Sequence, residues 1–336
     1  MSGFNRFPMA TFLVKNALGY AASLAIISVS FAVPVSRADA TTGAGLSASE
    51  WLEKMDSALH NETYKGSFIY LRGSQLDTIQ VVHHIEDGRE FKRLTSLSGE
   101  EREIIRDNDE IVCYHVPGAK FDLSHGVPMG PYSQHFSESL KANQSMYRLS
   151  LVGTDRMAGR PTIKLQITPH NQDRYGYQLW LDEATGLLLR SDLVNRGRVL
   201  ELFQFTEIEI GHDIELEQFA SSLPEDAIKH LLTPPNRELA MQPQKRDFHV
   251  AWVPNGFRPV NAPAANRMAF SDGIATLSVF FEGKGKSNLG DMHTSVGGTV
   301  VFTRTIKGSS QQITVVGEIP LATARRVAES IEPVIY

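Results

Sequence analysis

Cysteine is the sharpest shortage here, with one residue, Cys113, in 336. No intramolecular disulfide can form, and without a C-x-x-C or paired zinc-type spacing a thiol oxidoreductase and a zinc module lose support. Cys113 lies in the strand-like run 110–116 and reads as a buried inert thiol, with an intermolecular disulfide as the sharper alternative. Positive charge is also scarce. The chain carries 33 Lys and Arg against 38 Asp and Glu, a net charge of −5, and has no basic stretch, so a nucleic-acid partner is not expected. G-x-S-x-G, H-E-x-x-H, S-x-x-K and an EF-hand loop are all missing, so no motif supports catalysis. No cofactor or metal site is expected. Beyond residue 40 no apolar run reaches membrane-spanning length. The whole chain, 42% hydrophobic and 21% charged, has an ordinary globular composition whose stability must come from packing.

What is present begins with an address. Arg6 and Lys15 give a basic start, residues 17–33 form an apolar and small-residue run, and Ala38-Asp39-Ala40 supplies a small-x-small cleavage pattern. A run of about 17 residues is marginal for a bilayer, so residues 1–40 read as a signal peptide cleaved after Ala40, leaving a soluble extracytoplasmic chain.

The 296 residues beyond it suggest two domains. Leu232-Thr-Pro-Pro-Asn-Arg237 and the polar stretch after it mark a linker at 232–245, between a larger domain at 41–231 and a smaller one at 246–336. Residues 41–215 carry 18 Lys and Arg against 26 Asp and Glu, whereas 246–336 carry 9 against 7, so an acidic domain is tethered to a slightly basic one.

Ser47-Ala-Ser-Glu50 is a capping-box pattern, and Trp51, Leu52, Met55, Ala58 and Leu59 follow at helical spacing. Ten strand-like runs come next, between 66 and 210, separated by turn residues such as Asp87-Gly88, Ala158-Gly159 and Arg196-Gly197. They predict an antiparallel meander, with a helical insertion at 133–143. Several later strands are apolar on both faces: Tyr177, Leu179 and Leu181 oppose Trp180, while Val199, Phe203 and Phe205 oppose Leu200 and Leu202. The second face is covered by the chain itself, or it meets the second domain, closes into a barrel or holds an apolar ligand. The smaller domain reads as four strands and then a helix at 320–331. The Gly-Lys-rich loop at 282–288 lacks P-loop spacing and reads as a turn.

Eleven histidines remain. His83 and His84 are adjacent on a strand, so they point to opposite faces and cannot share a metal. His115, His125 and His135 recur at ten-residue intervals around a Gly/Pro loop at 126–131, and are the best metal or pH-sensing candidates, although their spacing matches no ligand motif and scattered structural roles fit better.

The run LWLDEATGLLLR at 179–190 and the hairpin into VLELFQFTE at 199–207 resemble the sheet of the outer-membrane lipoprotein carrier fold. WLEKM at 51–55, GSFIY at 66–70, WVPNGF at 252–257 and VGEIP at 316–320 are similar to the MucB/RseB family across essentially the whole mature chain. That resemblance implies an α+β protein: a curved antiparallel half-barrel sheet with helices, lipoprotein-carrier-like, plus a smaller antiparallel α+β domain. It also implies a non-enzymatic periplasmic regulator. Such a protein binds the periplasmic segment of a MucA/RseA-type anti-sigma factor, shields it from regulated proteolysis and restrains the envelope-stress sigma factor, with lipid or lipopolysaccharide triggering release. A homodimer is compatible with it. On this reading Phe68, Tyr70, Trp180, Leu200 and Leu202 are the lipid-binding candidates along the concave face. Trp252, Phe257, Arg258, Phe270 and Phe281 are the partner-binding candidates, since aromatics and Arg dominate interface energetics. The loop at 126–131 is a candidate lid. The rival reading is a periplasmic lipid or lipoprotein carrier, which shares the fold, and a third is a structural envelope subunit.

Overall fold

A computed structural model describes residues 45–118, 136–231, 247–260, 266–282, 290–306 and 311–334. The expected leader and linker, the candidate lid and the Gly-Lys loop beyond Glu282 lie outside these residues. The chain opens with α1 (Ala48–Asn61), started by the capping box: Glu50 N–H donates to Ser47 Oγ at 3.3 Å and Ser47 N–H donates to Glu50 Oε2 at 2.7 Å.

Five strands follow: β1 (Tyr64–Arg72), β2 (Gln75–Glu86), β3 (Arg89–Ser96), β4 (Arg102–Asp107) and β5 (Glu110–His115). Helix α2 (Phe136–Ala142), within the predicted insertion whose first three residues lie outside the described ones, leads into β6 (Tyr147–Met157), β7 (Arg160–Pro169), β8 (Gly176–Asp182), β9 (Leu188–Asn195) and β10 (Arg198–Ile210). A short strand, β11 (Ile228–Leu231), ends this part. At the turns Asp87-Gly88, Ala158-Gly159 and Arg196-Gly197 both central residues have positive φ, between 47° and 79°, which is the hairpin geometry that matches strand twist. The two meanders join through antiparallel β1 and β10, giving an eleven-stranded sheet with β11 and β6 at its edges, so it is open rather than a barrel.

The smaller part has β12 (Phe248–Val250), β13 (Arg258–Pro259), β14 (Arg267–Ser271), β15 (Thr276–Glu282), β16 (Met292–Val296), β17 (Thr299–Thr305) and β18 (Gln312–Gly317), then α3 (Leu321–Glu329) and β19 (Ile331–Pro333). Its six-stranded sheet runs β13-β14-β15-β18-β17-β16, and β12 pairs with β19. The four strands expected here were the more apolar ones. The other four are absent from that pattern: short β13 and β19 and the wholly exposed β16 carry little apolar signal, and β14 has only Met268, Ala269 and Phe270 in five residues.

Each sheet has its own core. Trp51, Leu52 and Met55 of α1 and Phe136 and Leu140 of α2 pack on Leu165, Ile167, Tyr177, Leu179 and Leu181. Beneath the end of α1, Ala58 meets Phe68, Phe203 and Phe205. In the smaller part Ala324, Val327 and Ala328 of α3 pack on Leu277, Val279, Ile313 and Val315.

Candidate functional site

The register decides which candidates share a face. Phe68 pairs with Phe205 and Tyr70 with Phe203, while Leu179 pairs with Ser191 and Ser191 with Phe203. Alternation then puts Phe68 and Tyr70 on the face under the helices, and Trp180 and Leu202 on the opposite one. The five lipid candidates therefore do not line one groove. Phe68 is 3% exposed between Phe203 and Phe205. Leu200 turns toward the smaller sheet and lines a cavity of about 150 Å³ with Tyr175, Val300 and Leu321. Trp180, on the second face of its strand, is covered by the chain's own side chains. The Lys164 ammonium and the Arg190 guanidinium lie over its ring, 4.6 and 4.5 Å from the centroid, and its indole N–H donates to Asp155 Oδ2 at 2.9 Å. Two cationic head groups thus cover that apolar ring.

Further along the outer face a patch stays open. Leu71 pairs with both Leu76 and Leu202, and Leu76 and Val199 are 56% and 47% exposed. At the adjoining β1–β2 turn, a Cβ placed on Gly73 would lie 3.7 Å from Val296 Cγ1 of the smaller sheet, and Val296 is 49% exposed.

Here the two sheets meet in a polar seam. Tyr70 Oη donates to Glu201 Oε2 at 2.5 Å, Gly298 N–H donates to Glu201 Oε1 at 2.8 Å, and Arg72 donates to Thr299 Oγ1 at 2.8 Å. The β16–β17 tip fits only as glycine. Gly297 has φ +58°, and a Cβ there would come within 2.4 Å of Glu201 Oε1, while one on Gly298 would come within 2.3 Å of Leu193 Cδ2. Glu318 brings a second carboxylate to the same place. Burial and the charge of Glu201 push its pKa up to about 7 against the opposing pull of Arg72. Burial also raises the phenols of Tyr70 and Tyr175, so both remain donors.

A second clamp holds the seam. Arg174 Nη1 sits 2.5 Å from Asp272 Oδ2 with both side chains fully buried, Tyr147 Oη donates to Asp272 Oδ2 at 3.0 Å, and Arg174 also donates to the Asn255 carbonyl. Tyr175 Oη donates to the Ile319 carbonyl at 2.8 Å and Thr323 Oγ1 to the Asp173 carbonyl at 3.1 Å. Sequence reasoning missed these residues, because an ion pair between positions 98 apart has no local pattern.

The partner candidates also divide. Phe257 and Phe270 are core residues, 6% and 8% exposed, and the Arg174 guanidinium lies 5.2 Å from the Phe257 ring centroid. A hot spot needs surface, so these two serve packing and the seam. Trp252 and Phe281 are half-buried, the first under Arg326 at 3.8 Å and the second stacked on Phe248, while Arg258 is exposed on β13. The histidines fall as the strand pattern requires. His83 is buried with Nδ1 2.8 Å from the Glu62 carbonyl, whereas His84 turns the other way toward Thr63 and Phe219. His125 and His135 lie outside the described residues. His115 instead meets His230, a pairing across 115 positions that no spacing rule reveals.

An open sheet, a smaller sheet clamped against it and an apolar patch beside the seam define a two-domain binding architecture. Family comparison resolves it further. Residues 47–223 match the MucB/RseB N-terminal domain and residues 242–332 the MucB/RseB C-terminal domain, so the chain belongs to the MucB/RseB family. It is 33% identical to the sigma factor AlgU regulatory protein MucB of Pseudomonas aeruginosa, over 85% of this chain and 91% of that one. It is 28% identical to the sigma-E factor regulatory protein RseB of Escherichia coli K12, over 84% and 89%. Among solved structures, the Pseudomonas aeruginosa MucA/MucB complex superposes with a TM-score of 0.67 at 31% identity, covering 86% of this chain and 99% of that one. A crystal structure of MucB gives 0.59 at 31% identity, covering 85% and 98%.

Proposed function

We propose that this chain is a periplasmic negative regulator, not an enzyme. It binds the periplasmic segment of a MucA/RseA-type anti-sigma factor, protects it from regulated proteolysis and so keeps an envelope-stress sigma factor captive. The carrying observation is the likeness of both domains to MucB, including MucB held in a complex with MucA. We place the contact on the open patch of Leu71, Leu76, Leu202 and Val199 and across the seam to Val296, where apolar surface is already exposed. Trp252, Arg258 and Phe281 are the remaining exposed or half-exposed candidates on the smaller domain. A family member that binds a peptide through such a surface needs no catalytic centre.

Lipid or lipopolysaccharide is the release signal in this reading. Among the described residues the seat of the helices is filled, with Leu52, Met55, Phe136 and Leu140 each 1% exposed. An acyl chain entering there must displace helix side chains, which couples lipid entry to a change of shape. That packing argues for a regulator over a carrier. A lipid shifts the partner equilibrium only by its difference in affinity for the two forms.

The test is a titration of the purified protein into the labelled periplasmic segment of the anti-sigma factor, with and without lipopolysaccharide. Saturable binding that lipid weakens is the expected result. No binding by demonstrably folded protein overturns the regulator reading.

A further inference from the structure

The edge of the large sheet carries a histidine pair unrelated to the seam. His115, the last residue of β5, and His230 on β11 have Nε2 atoms 2.9 Å apart, ring planes 7° apart and centroids 5.0 Å apart. An Nε2 separation shorter than a face-to-face stack permits means that the two nitrogen edges point at one another. His115 Nδ1 lies 2.9 Å from the Val116 carbonyl, a bond only an Nδ1–H can make. That bond leaves the His115 Nε2 lone pair facing His230, which fills the gap with an Nε2–H. A backbone carbonyl on the far nitrogen is also how proteins orient metal-binding imidazoles.

We propose that His115 and His230 form a two-imidazole site for a borderline divalent transition ion such as Zn²⁺, which staples the last strand of the large sheet to its edge. The ion takes the place of the proton between the nitrogens, and His230 shifts its proton to Nδ1, so both ligands bind as neutral imidazoles. With Zn–N distances of about 2.0–2.1 Å, the present spacing subtends roughly 90° at the metal, and a tetrahedral angle needs an Nε2 separation of about 3.3 Å. The ion then lies beside the line joining the nitrogens, so each ring must also point roughly 35° off that line. Half-buried His230 can supply both movements, being on a strand of four residues of which three are exposed. Among the described residues no group of three or more His, Cys, Asp or Glu is placed to hold a metal, so the two imidazoles are the ligands those residues supply. Arg102, paired with His115 in register, brings a positive charge that tempers the affinity. β11 holds to β5 through only four register pairs, and the chain leads from it toward the smaller sheet, so a metal here fixes where that connection begins.

Isothermal titration of the metal-free purified protein with Zn²⁺, alongside electron paramagnetic resonance with Cu²⁺ as probe, tests the site. One saturable Zn²⁺ equivalent is expected, together with a Cu²⁺ spectrum showing two coordinated imidazole nitrogens and slower hydrogen exchange of the β11 amides in Zn²⁺. His230→Gln, at a half-exposed edge position, should weaken binding by at least about tenfold with the fold kept. His115→Gln should do the same. Absence of saturable binding, or binding that survives His230→Gln unchanged, overturns the proposal; so does a Cu²⁺ spectrum with a single coordinated nitrogen.

Discussion

Glu318→Gln should change how stability depends on pH, and the size follows from the seam. The Glu318 pKa rises from 4.5 to about 7 because burial and the neighbouring charge of Glu201 oppose its ionisation. Between these values the folded protein binds a proton that the unfolded chain does not, so this carboxyl's stabilising contribution is full below pH 4.5 and is lost as pH rises through 7. At about 1.4 kcal/mol per pH unit, the loss approaches about 3 kcal/mol by pH 8. Glutamine keeps the shape of the neutral acid at every pH. The variant should match the parent near pH 4.5 and exceed it by about 2–3 kcal/mol at pH 8. Urea denaturation of both proteins at pH 4.5, 6, 7 and 8 reads this directly, and the difference cancels groups such as Glu103, which titrate alike in both. Adding Glu201→Gln to the parent removes the repelling charge and should move the window downward. A stability difference that stays flat across this range would refute the reasoning, because a packing effect has no reason to follow a carboxyl titration.

Other substitutions probe different parts. Arg174→Ala leaves Asp272 buried without its guanidinium partner and should cost about 3–5 kcal/mol in chemical denaturation. Gly297→Ala forces a side chain into a left-handed turn against Glu201 and Arg72, and a loss of about 1–3 kcal/mol, seen as a lowered Tm, is expected. Leu76→Asp should leave Tm nearly unchanged, because the side chain is 56% exposed, and should weaken the anti-sigma segment at least tenfold in the same titration. Glu103, fully buried and held by Ser221, Ser222 and Arg93, has its pKa lowered: burial pushes it up, but these hydrogen bonds and the Arg93 charge outweigh that. Its contribution is present above the ordinary carboxylate range and is lost as pH falls through the lowered value, so Glu103→Gln should flatten the acid limb of the stability profile.

The large sheet was legible because its signals are local. Strands of alternating or doubly apolar character are separated by Asp-Gly, Ala-Gly and Arg-Gly turns, and a positive φ at paired turn residues leaves little choice of connection. α1 was legible from Ser47 and Glu50 for the same reason. The site was much less so. Sequence alternation separates the two faces of one strand, but which face of β8 matches which face of β1 depends on pairings through β9 and β10, with register shifts at Val199/Glu201 and Trp180/Leu181. Phe68 and Trp180 were grouped because both are large and apolar, yet one is enclosed by aromatics and the other is roofed by cations. Residue type alone makes Phe257 and Phe270 partner candidates, whereas the fold buries both in the core of the smaller part. The seam has no sequence signal because Tyr70, singled out above for a different role, meets Arg72, Glu201, Gly298 and Glu318 only when distant hairpin tips come together.

That convergence constrains how a release signal can act. The open patch is built on β1, β2 and β10, and the same strands supply Tyr70, Arg72 and Glu201 to the seam. A partner seated across Leu76 and Val296 touches both sheets and therefore prefers the clamped arrangement. A lipid that binds clamped and unclamped forms equally shifts nothing, however tightly it holds. To release the partner it must favour a form in which contacts such as Glu201 to Gly298 or Arg174 to Asp272 are broken. Those contacts then set the energy the signal has to overcome. Weakening the clamp by Arg174→Lys should accordingly lower the lipopolysaccharide concentration at which half of the anti-sigma segment is released, while Glu318→Gln at pH 8, which strengthens the seam, should raise it. Equal midpoints in both variants would show that release does not pass through the seam.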